Sequence, residues 1–382
     1  MKPKKTKQTR IARKIGLLAA STLISCLLLE FAVRIFLGDR IVLFPRFHAR
    51  AEYGPYTIRR LRPDTTFRHR SRDGSWKFTI NSQGFRSAAD FQYEKPEGNL
   101  RVICLGDSQT QGFECRQDKT FSAVIQRYLS KRGENAEVIN AGVSGFSTAE
   151  ALAFLENEGI RYNPDAVVLG FFANDMDDNI KADLFRLTEE GLANHRFEHI
   201  PAVGILDVVD RCPPLRWLSQ NSYAYSHLFN TVWEYKKSLL LKEAEYAAAT
   251  EFAAAQKDED ARLTGKKQQL TEALLERMHS FCESNNVVLV VLDIPQPGKE
   301  DQDFLPSIPE KMVQSFKEHS DALILSPEIL GDYDGLLDFF VPHGQRHISE
   351  ATHMLLGAAA AKSILEQLEG RKSLEIAPAV DY

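Results

Sequence analysis

The sequence lacks most of the features that would place it in a specialised class of protein. It has only five cysteines in 382 residues and no C-x-x-C pair, which excludes a disulfide framework and gives no sign of structural zinc. It has no excess of basic residues either, and the formal net charge of −5 argues against a dedicated nucleic-acid-binding protein. The mean hydropathy of −0.29 excludes a polytopic membrane protein but not a single span. What remains, 43% hydrophobic and 26% charged residues, is the composition of an ordinary globular chain.

A single span is predicted at the N-terminus. A basic leader, residues 1–14, contains seven lysines and arginines and no acid, and the apolar stretch 15–37 follows it. This stretch reaches the roughly 20 residues that a bilayer requires if Glu30 and Arg34 are tolerated; four residues apart on a helix, they can pair near the interface. Because basic residues favour the cytoplasmic side, we predict an N-terminus held in the cytoplasm and the rest of the chain outside it.

Two other interpretations of this segment stay open. A cleaved signal peptide has a similar basic and apolar pattern, although no small-x-small cleavage site stands out. The sequence ending at Cys26 resembles a lipoprotein signal, in which this cysteine would carry the lipid, although the apolar run continues beyond it. All three interpretations place the remainder of the chain outside the cytoplasm.

The juxtamembrane segment, residues 38–98, is rich in arginine, proline and aromatic residues. Residues 76–80 (WKFTI) alternate as a short strand does, and turn residues follow from Asn81. The arginine-rich stretch 68–72 is expected to be a solvated turn, because runs of charge usually face water. Contact with lipid headgroups or an acidic glycan is the alternative.

From Arg101 onward, buried strands alternate with helices. This alternation is typical of a parallel sheet covered on both faces, and we predict a three-layer α/β/α domain over residues 99–180 and 268–370, followed by a tail, 371–382. Residues 181–267 break the alternation and are predicted to be a helical insertion, serving as a lid, a partner surface or a solvated spacer. The predicted strands are 102–105, 137–140, 166–172, 287–294 and 322–325; the predicted helices are 119–131, 147–158 and 349–368, with 215–228 and 231–260 in the insertion.

Polar motifs follow the predicted strands, at the edge where parallel sheets collect functional groups. The first strand runs into Gly106-Asp107-Ser108, where the glycine allows a sharp turn and the serine is placed to act as a nucleophile. Gly145 follows the second strand, Asn174 follows the third, and His347 precedes the last helix. In this order the four blocks resemble the SGNH (GDSL) hydrolase family, and residues 80–86 resemble the lead-in of its membrane-anchored bacterial members.

The resemblance implies a flavodoxin-like fold and a role for each motif residue. Ser108 would attack an ester carbonyl, and its backbone N–H, that of Gly145 and the side-chain amide of Asn174 would form the oxyanion hole. His347 would be the general base, which takes the serine proton and returns it to the leaving alcohol.

The chain departs from the family pattern beside this base. Relatives carry an aspartate two or three residues before the histidine, where this chain has Gln345 and Gly344. The group that orients the imidazole is then Asp338, Asp334 or a backbone carbonyl, or the site is a Ser–His dyad without an acid.

Neither a cofactor nor a metal ion is predicted. The serine, the base and the oxyanion hole supply the whole reaction by themselves. His343, His347 and His353 are close in sequence, but no acidic or cysteine partner completes a standard zinc site. A disulfide between Cys115 and Cys212 is conceivable in an oxidising compartment, and the spacing leaves it open.

The resemblance, together with the N-terminal span, therefore predicts a bacterial inner-membrane protein whose periplasmic domain is a serine esterase. The expected reaction removes O-acyl groups, acetyl foremost, from an acylated carbohydrate or cell-envelope polymer, or from a small ester, through an acyl-Ser108 intermediate. Two alternatives remain: an O-acyltransferase with the same residues, and a non-catalytic glycan-binding envelope protein, which the missing aspartate would favour. No nucleic-acid partner is expected.

Overall fold

The computed structural model of the protein describes residues 7–43, 48–201, 203–250, 259–298, 304–344 and 346–376. The α-helices are α1 Lys7–Leu37, α2 Ser108–Gln111, α3 Phe121–Lys131, α4 Thr148–Asn157, α5 Asp175–Ala182, α6 Val203–Arg211, α7 Pro213–Asn221, α8 Tyr223–Thr250, α9 Glu259–Ser284, α10 Val313–Glu318, α11 Ser326–Leu330 and α12 Glu350–Ile376. The β-strands are β1 His48–Tyr53, β2 Tyr56–Leu61, β3 Thr65–Ser71, β4 Gly74–Ile80, β5 Asn99–Gly106, β6 Asn135–Asn140, β7 Ala166–Phe171, β8 Phe185–Thr188, β9 Gly191–Asn194, β10 Glu198–His199, β11 Val288–Asp293, β12 Gln296–Pro297, β13 Phe304–Leu305 and β14 Ala322–Ile324.

The central sheet has five parallel strands in the order β14-β11-β7-β5-β6. Numbered along the domain, this order is 2-1-3-4-5, the flavodoxin-like arrangement, so the prediction of a central parallel sheet is confirmed. Every residue of β7 and β11 is buried. Because successive side chains of a strand point to opposite faces, strands that are covered on both faces are apolar on both. The two segments follow this pattern except at Asp293, the last residue of β11, whose buried carboxylate accepts hydrogen bonds from the N–H groups of Ser307, Ile308 and Ser326.

Helices cover both faces of the sheet, which completes the predicted three layers. Helices α3 and α12 pack together on one face, and α4 and α9 contribute to the buried cluster on the other. The close approach of α3 and α12 requires glycine at 357, because a Cβ there would lie 2.8 Å from the carbonyl oxygen of Phe121. The predicted strands and helices of this domain agree within three residues, except that α12 continues to Ile376 and so includes part of the expected tail.

The juxtamembrane segment contains four strands where the sequence indicated one. The predicted strand 76–80 is part of β4, which pairs with β3 in an antiparallel hairpin. The expectation of a solvated turn at 68–72 holds only for Arg72, because residues 68–71 belong to β3. Alternate side chains of this strand, Phe67 and His69 among them, are buried while the arginines between them are exposed. Because of the exposed arginines, the alternation of buried and exposed side chains that marks a strand was not recognised in the sequence.

The insertion is only partly helical. It begins with the β8–β9 hairpin and with β10, which pairs in parallel with β2. The predicted interruption between residues 228 and 231 is absent, because α8 is continuous over Tyr223–Thr250. Helix α9 crosses the expected boundary at 267 and packs on the central domain through its second half.

Among the described residues, one helix is long and apolar enough to cross a membrane. It covers Ile11–Arg40, and its large apolar side chains are exposed over most of its length. Glu30 and Arg34 pair as expected, with Nε of the arginine 2.7 Å from a carboxylate oxygen. Both side chains also contact the insertion, so the end of α1 is attached to the folded domain.

Candidate active site

The nucleophile turn joins β5 to α2. Gly106 has φ of +141°, and a Cβ there would lie 2.7 Å from the carbonyl oxygen of Gly170 on the neighbouring strand, so the turn requires glycine. The Asp107 carboxylate accepts a hydrogen bond of 2.8 Å from the backbone N–H of Gln109 and fixes the start of α2. Ser108 is therefore presented at the carboxyl edge of the sheet.

The structure brings Ser108 and His347 together, although 239 positions separate them. The serine Oγ donates to Nε2 of the imidazole over 2.9 Å, and the backbone carbonyl of Gly344 lies 2.5 Å from Nδ1. Because a carbonyl can only accept, Nδ1 carries the ring proton and Nε2 is left to accept the serine proton. Burial lowers the pKa of His347 to about 4, so the ring is neutral and able to act as a base at pH 7.

The group that orients the imidazole is thus a backbone carbonyl, one of the alternatives that the sequence left open. Asp334 and Asp338, the two acids considered, are exposed. Arg346, immediately before the base, has φ of +74°, a strained conformation for arginine that turns the loop sharply. The loop itself supplies the acceptor that an aspartate supplies in relatives.

Gln109 fastens this loop to the nucleophile turn. Its side-chain amide donates to the carbonyl of Arg346 over 3.1 Å and accepts from the N–H of Ile348 over 3.1 Å. Phe113, just after α2, stacks on the His347 ring with the ring centroids 4.2 Å apart. The nucleophile segment therefore holds the base on two sides.

The two remaining motif residues border the same cleft. Ser108, Gly145, Asn174 and His347 all line a cavity of about 280 Å³. Gly145 has φ of +80°, and the Asn174 side-chain N–H₂ donates to Asp178 over 2.7 Å. The same side chain also hydrogen-bonds to the Asp107 carboxylate, so Asn174 is held between two acids at the rim of the cleft.

Carboxyl groups are buried beneath this cleft. Burial raises the pKa of Asp107 to about 7, with the Asp178 charge acting in the same direction, and it raises the pKa of Asp175 well above its usual value. These acids are protonated far more readily than free carboxyls. The negative charge that would oppose an oxyanion beside Ser108 is accordingly reduced.

Comparison with known proteins agrees with this arrangement. The model of the GDSL-like lipase/acylhydrolase family matches residues 104–319, more than half of the chain. The chain belongs to this family. An arylesterase of Vibrio mimicus is 31% identical over 79 residues, which are 21% of this chain and 40% of that protein, so the chain spans less than half of this curated relative.

Two solved structures, of a lipase/acylhydrolase and of an esterase, are similar to this chain. The lipase/acylhydrolase from Enterococcus faecalis is 17% identical with a TM-score of 0.37, over 70% of this chain and 96% of that one. Axe2, an acetylxylan esterase from Geobacillus stearothermophilus, is 14% identical with a TM-score of 0.38, over 70% and 95%. At such identities and TM-scores, neither structure bears on the substrate of this chain.

In this GDSL-family protein, Arg86 of the juxtamembrane segment braces the nucleophile turn. Its buried guanidinium donates to the carbonyl oxygens of Gln111, Gly112 and Cys115 over 2.5 to 2.6 Å. The cation also lies over the Phe78 ring, 3.8 Å from its centroid. The part of this segment that contains Phe78 and Arg86 therefore supports the nucleophile turn directly.

Two more juxtamembrane side chains brace the other loops. Arg59 on β2 donates to the carbonyl of Gly145, and its guanidinium lies 3.7 Å from the buried Glu150 carboxylate. Asp73, in the β3–β4 turn, accepts from the backbone N–H of His343 over 2.9 Å and from its ring at 2.7 Å. Sequence analysis missed these roles; the lead-in motif ending at Arg86 was the one local signal.

The neighbouring histidines and cysteines have separate surroundings. His343 is bound by Asp73, and His353 Nδ1 accepts from the N–H of Phe121 over 3.2 Å. Within the described part of the chain no group of three acidic, histidine or cysteine side chains is arranged to hold a metal ion. Cys115 and Cys212, the conceivable disulfide pair, are both free thiols.

The insertion forms one wall of the cleft. Phe229, Trp233 and Leu240 from α8 and Leu206 from α6 line the cavity together with the motif residues. Of the three roles that the sequence left open, this placement supports that of a lid or wall.

Proposed function

We propose that this protein is a membrane-anchored, extracytoplasmic serine esterase that removes short O-acyl groups, acetyl foremost, from an acylated carbohydrate. The observation that carries the proposal is the 2.9 Å contact between Ser108 Oγ and His347 Nε2, in a cleft that Gly145 and Asn174 also line. A nucleophile, a base and oxyanion donors converge there, which is what acyl transfer requires. The arylesterase of Vibrio mimicus, similar over part of its length, is in keeping with ester chemistry.

Acylation begins with proton transfer from Ser108 to His347. The serine Oγ forms a bond to the ester carbonyl carbon, and the developing negative charge on the carbonyl oxygen is stabilised by the backbone N–H groups of Ser108 and Gly145 and the amide of Asn174. When the C–O bond to the alcohol breaks, the imidazolium gives its proton to the alcohol oxygen. The acyl group is left on the serine.

Deacylation repeats these steps with water. His347 takes a proton from the water, whose oxygen bonds to the acyl carbon, and the imidazolium returns the proton to the Ser108 oxygen as the acid leaves. The neutral ring, with its proton on Nδ1, can act as the base in both acylation and deacylation. Its lowered pKa keeps it able to accept a proton at neutral pH.

The lining of the cleft supports a short acyl group and a sugar alcohol. A cavity of about 280 Å³ is at the small end of the range for ligand sites, roughly 300–1,000 Å³, which disfavours a long acyl chain. The rings of Phe229 and Trp233 offer apolar surface for the face of a sugar ring, while Asp177 and Lys181 offer hydrogen bonds to its hydroxyls.

Incubation of the full chain with p-nitrophenyl acetate tests the proposal. We expect release of p-nitrophenol together with an acetyl adduct on the peptide that contains Ser108, seen by mass spectrometry after acid quenching. An acetylated xylo-oligosaccharide and a long-chain p-nitrophenyl ester, compared under the same conditions, test the substrate class. Absence of turnover, or an adduct elsewhere in the chain, would contradict the esterase proposal, and preference for the long chain would contradict the substrate.

The anchor part of the proposal rests on α1. The basic leader before it supports a cytoplasmic N-terminus, and the span Ile11–Arg40 is apolar and exposed. At the far end of the span, Glu30 accepts hydrogen bonds from Ser222 Oγ at 2.7 Å and from the N–H groups of Tyr223 and Ala224 at 3.0 Å. These are the first donors of α8, so the anchor helix caps the helix that forms the wall of the cleft.

Glu30→Ala is therefore expected to affect substrate binding from a distance. Loss of a helix cap costs about 0.5–2 kcal/mol, and 1.4 kcal/mol corresponds to a tenfold change in affinity. KM should therefore rise by about two- to thirtyfold as the position of Trp233 becomes less defined. The value of kcat should stay close to that of the wild type, because the groups around Ser108 are untouched. Steady-state kinetics of the full chain in detergent measure both parameters.

Glu243→Ala is the matched control, since it removes an exposed glutamate from α8 itself. If Glu30→Ala and Glu243→Ala have the same KM, the cap does not position the wall of the cleft.

A further inference from the structure

A second buried acid lies behind the base and has no part in the reaction described above. Glu114 follows the nucleophile turn and is only 1% exposed. Its φ is +55°, in the left-handed region that costs a non-glycine residue of this size about 1 kcal/mol or more. Such a conformation persists only where the surroundings impose it, and here it directs the carboxylate inward.

Glu114 meets the loop that orients His347. Its Oε2 is so close to Gly344 that a Cβ at this position would overlap with it. The carbonyl of the same Gly344 accepts the Nδ1 proton of the base at 2.5 Å. The carboxylate is thus separated from the imidazole by one peptide group.

Glu114 is also held from the opposite side. Its Oε1 is 3.2 Å from Nε2 of the fully buried His69 on β3. The Phe113 ring contacts both imidazoles, edge-on to His69 and stacked on His347, with centroids 4.2 Å apart in each case. The two histidines, the phenyl ring and the carboxylate therefore form one packed cluster, in which Glu114 and His69 are almost completely buried.

We propose that Glu114 is a positioning residue that takes over the charge of the aspartate missing from the base loop: it supports the Gly344 carbonyl and stabilises the imidazolium formed at His347. The inference rests on the proposed esterase function. Charge within a low-dielectric cluster acts over longer distances than charge in water, so the carboxylate need not touch the ring.

The other charged and titratable groups around His347 do not supply the negative charge that would stabilise an imidazolium. The charged and titratable side chains packed there are Arg86, His69 from β3 and His353 from α12. Arg86 is a buried cation that cannot stabilise an imidazolium, and burial, with Arg86 acting in the same direction, lowers the pKa of both histidines. Both are therefore neutral near pH 7 and supply no charge of their own. The negative charge of Glu114 raises the pKa of His347, against the larger effect of burial.

The pH profile of kcat/KM distinguishes charge support from mere packing. In Glu114→Gln, which keeps the shape and removes the charge, the acid limb that reports protonation of free His347 should move to lower pH by about half a unit or more. The plateau kcat should fall by about 10²-fold, less than the 10⁴-fold loss known for a carboxylate that bonds the base directly. Glu114→Asp keeps the charge and should leave the limb at its wild-type position.

Asp73→Asn serves as the matched control. It removes a partly exposed carboxylate that binds the same loop at His343, and its acid limb should coincide with that of the wild type. If Glu114→Gln does not fold, Gly344→Ala is the second variant, since the added methyl group overlaps Glu114 Oε2 and Val341 and displaces the carboxylate. It should move the limb in the same direction.

Two results would overturn the inference: an acid limb in Glu114→Gln identical to that of the wild type, or an equal shift in Glu114→Asp, which would show that packing and not charge is involved. An NMR titration of the His347 ring, with ring-labelled histidine in the full chain, measures the same shift without any substrate. A wild type that fails to hydrolyse esters thus refutes the function, whereas an unmoved His347 pKa refutes the role of Glu114.

Discussion

Replacement of His347 by alanine is expected to lower kcat for p-nitrophenyl acetate by about 10⁴-fold, and replacement of Ser108 by alanine to lower it to the same level. The hydroxyl is a weak nucleophile until the imidazole removes its proton, so loss of either partner removes the whole pathway. The double variant should be no slower than either single variant, because the two residues act as a unit. Active-site labelling with a fluorophosphonate should disappear in all three.

The control for this series is His227→Ala, which removes an exposed imidazole on α8. It should retain wild-type kcat and labelling. Circular dichroism melting curves of the His347 variant should match the wild type, since the ring is held by a single loop and by Phe113. A His347→Ala variant with more than a tenth of the wild-type kcat would contradict the assignment of the base.

Asn174→Ala is expected to give the second-largest loss, about 10²- to 10³-fold in kcat with little change in KM. The amide would donate to the substrate oxygen only as negative charge develops on it, so its removal weakens binding of the transition state and not of the ester. Asn174→Asp should be at least as slow, because it replaces the donor by an acceptor close to Asp178.

Asn135→Ala, at the exposed start of β6, is the matched control and should be unaffected. If Asn174→Ala keeps kcat but raises KM, the side chain binds the ground state and the oxyanion hole must be formed by other donors. Steady-state kinetics with one soluble ester separate these outcomes.

The position of the motif blocks at one edge of the sheet could be predicted, because the blocks come directly after predicted strands or before a predicted helix. The strongly apolar segments 166–172 and 287–294 predicted strands buried on both faces, and such strands imply a parallel sheet with functional groups at one edge. The family resemblance then assigned Ser108 and His347 to this edge. The structure places them in hydrogen-bond contact, while their catalytic roles stay predictions until the variants are measured.

The orienting group of the base was not predictable from the sequence. Every residue has a backbone carbonyl, so the absence of an aspartate before His347 could not indicate that the Gly344 carbonyl is the acceptor. The same holds for Glu114, whose sequence neighbours give no sign that it reaches a loop 230 residues further along. Contacts of this kind depend on which loops the fold places side by side.

The sequence by itself determined the family, the parallel α/β architecture and the apolar N-terminal helix, because each depends on composition, period or local motif within one segment. The tertiary structure alone decided that Arg59 and Arg86 brace the site, that the insertion forms its wall and that α1 caps a helix of this wall. Buried Arg86 and exposed Arg70 are the same residue type in one short segment. They differ in burial because each side chain packs in a different place, and those surroundings are formed by residues that are distant in the sequence.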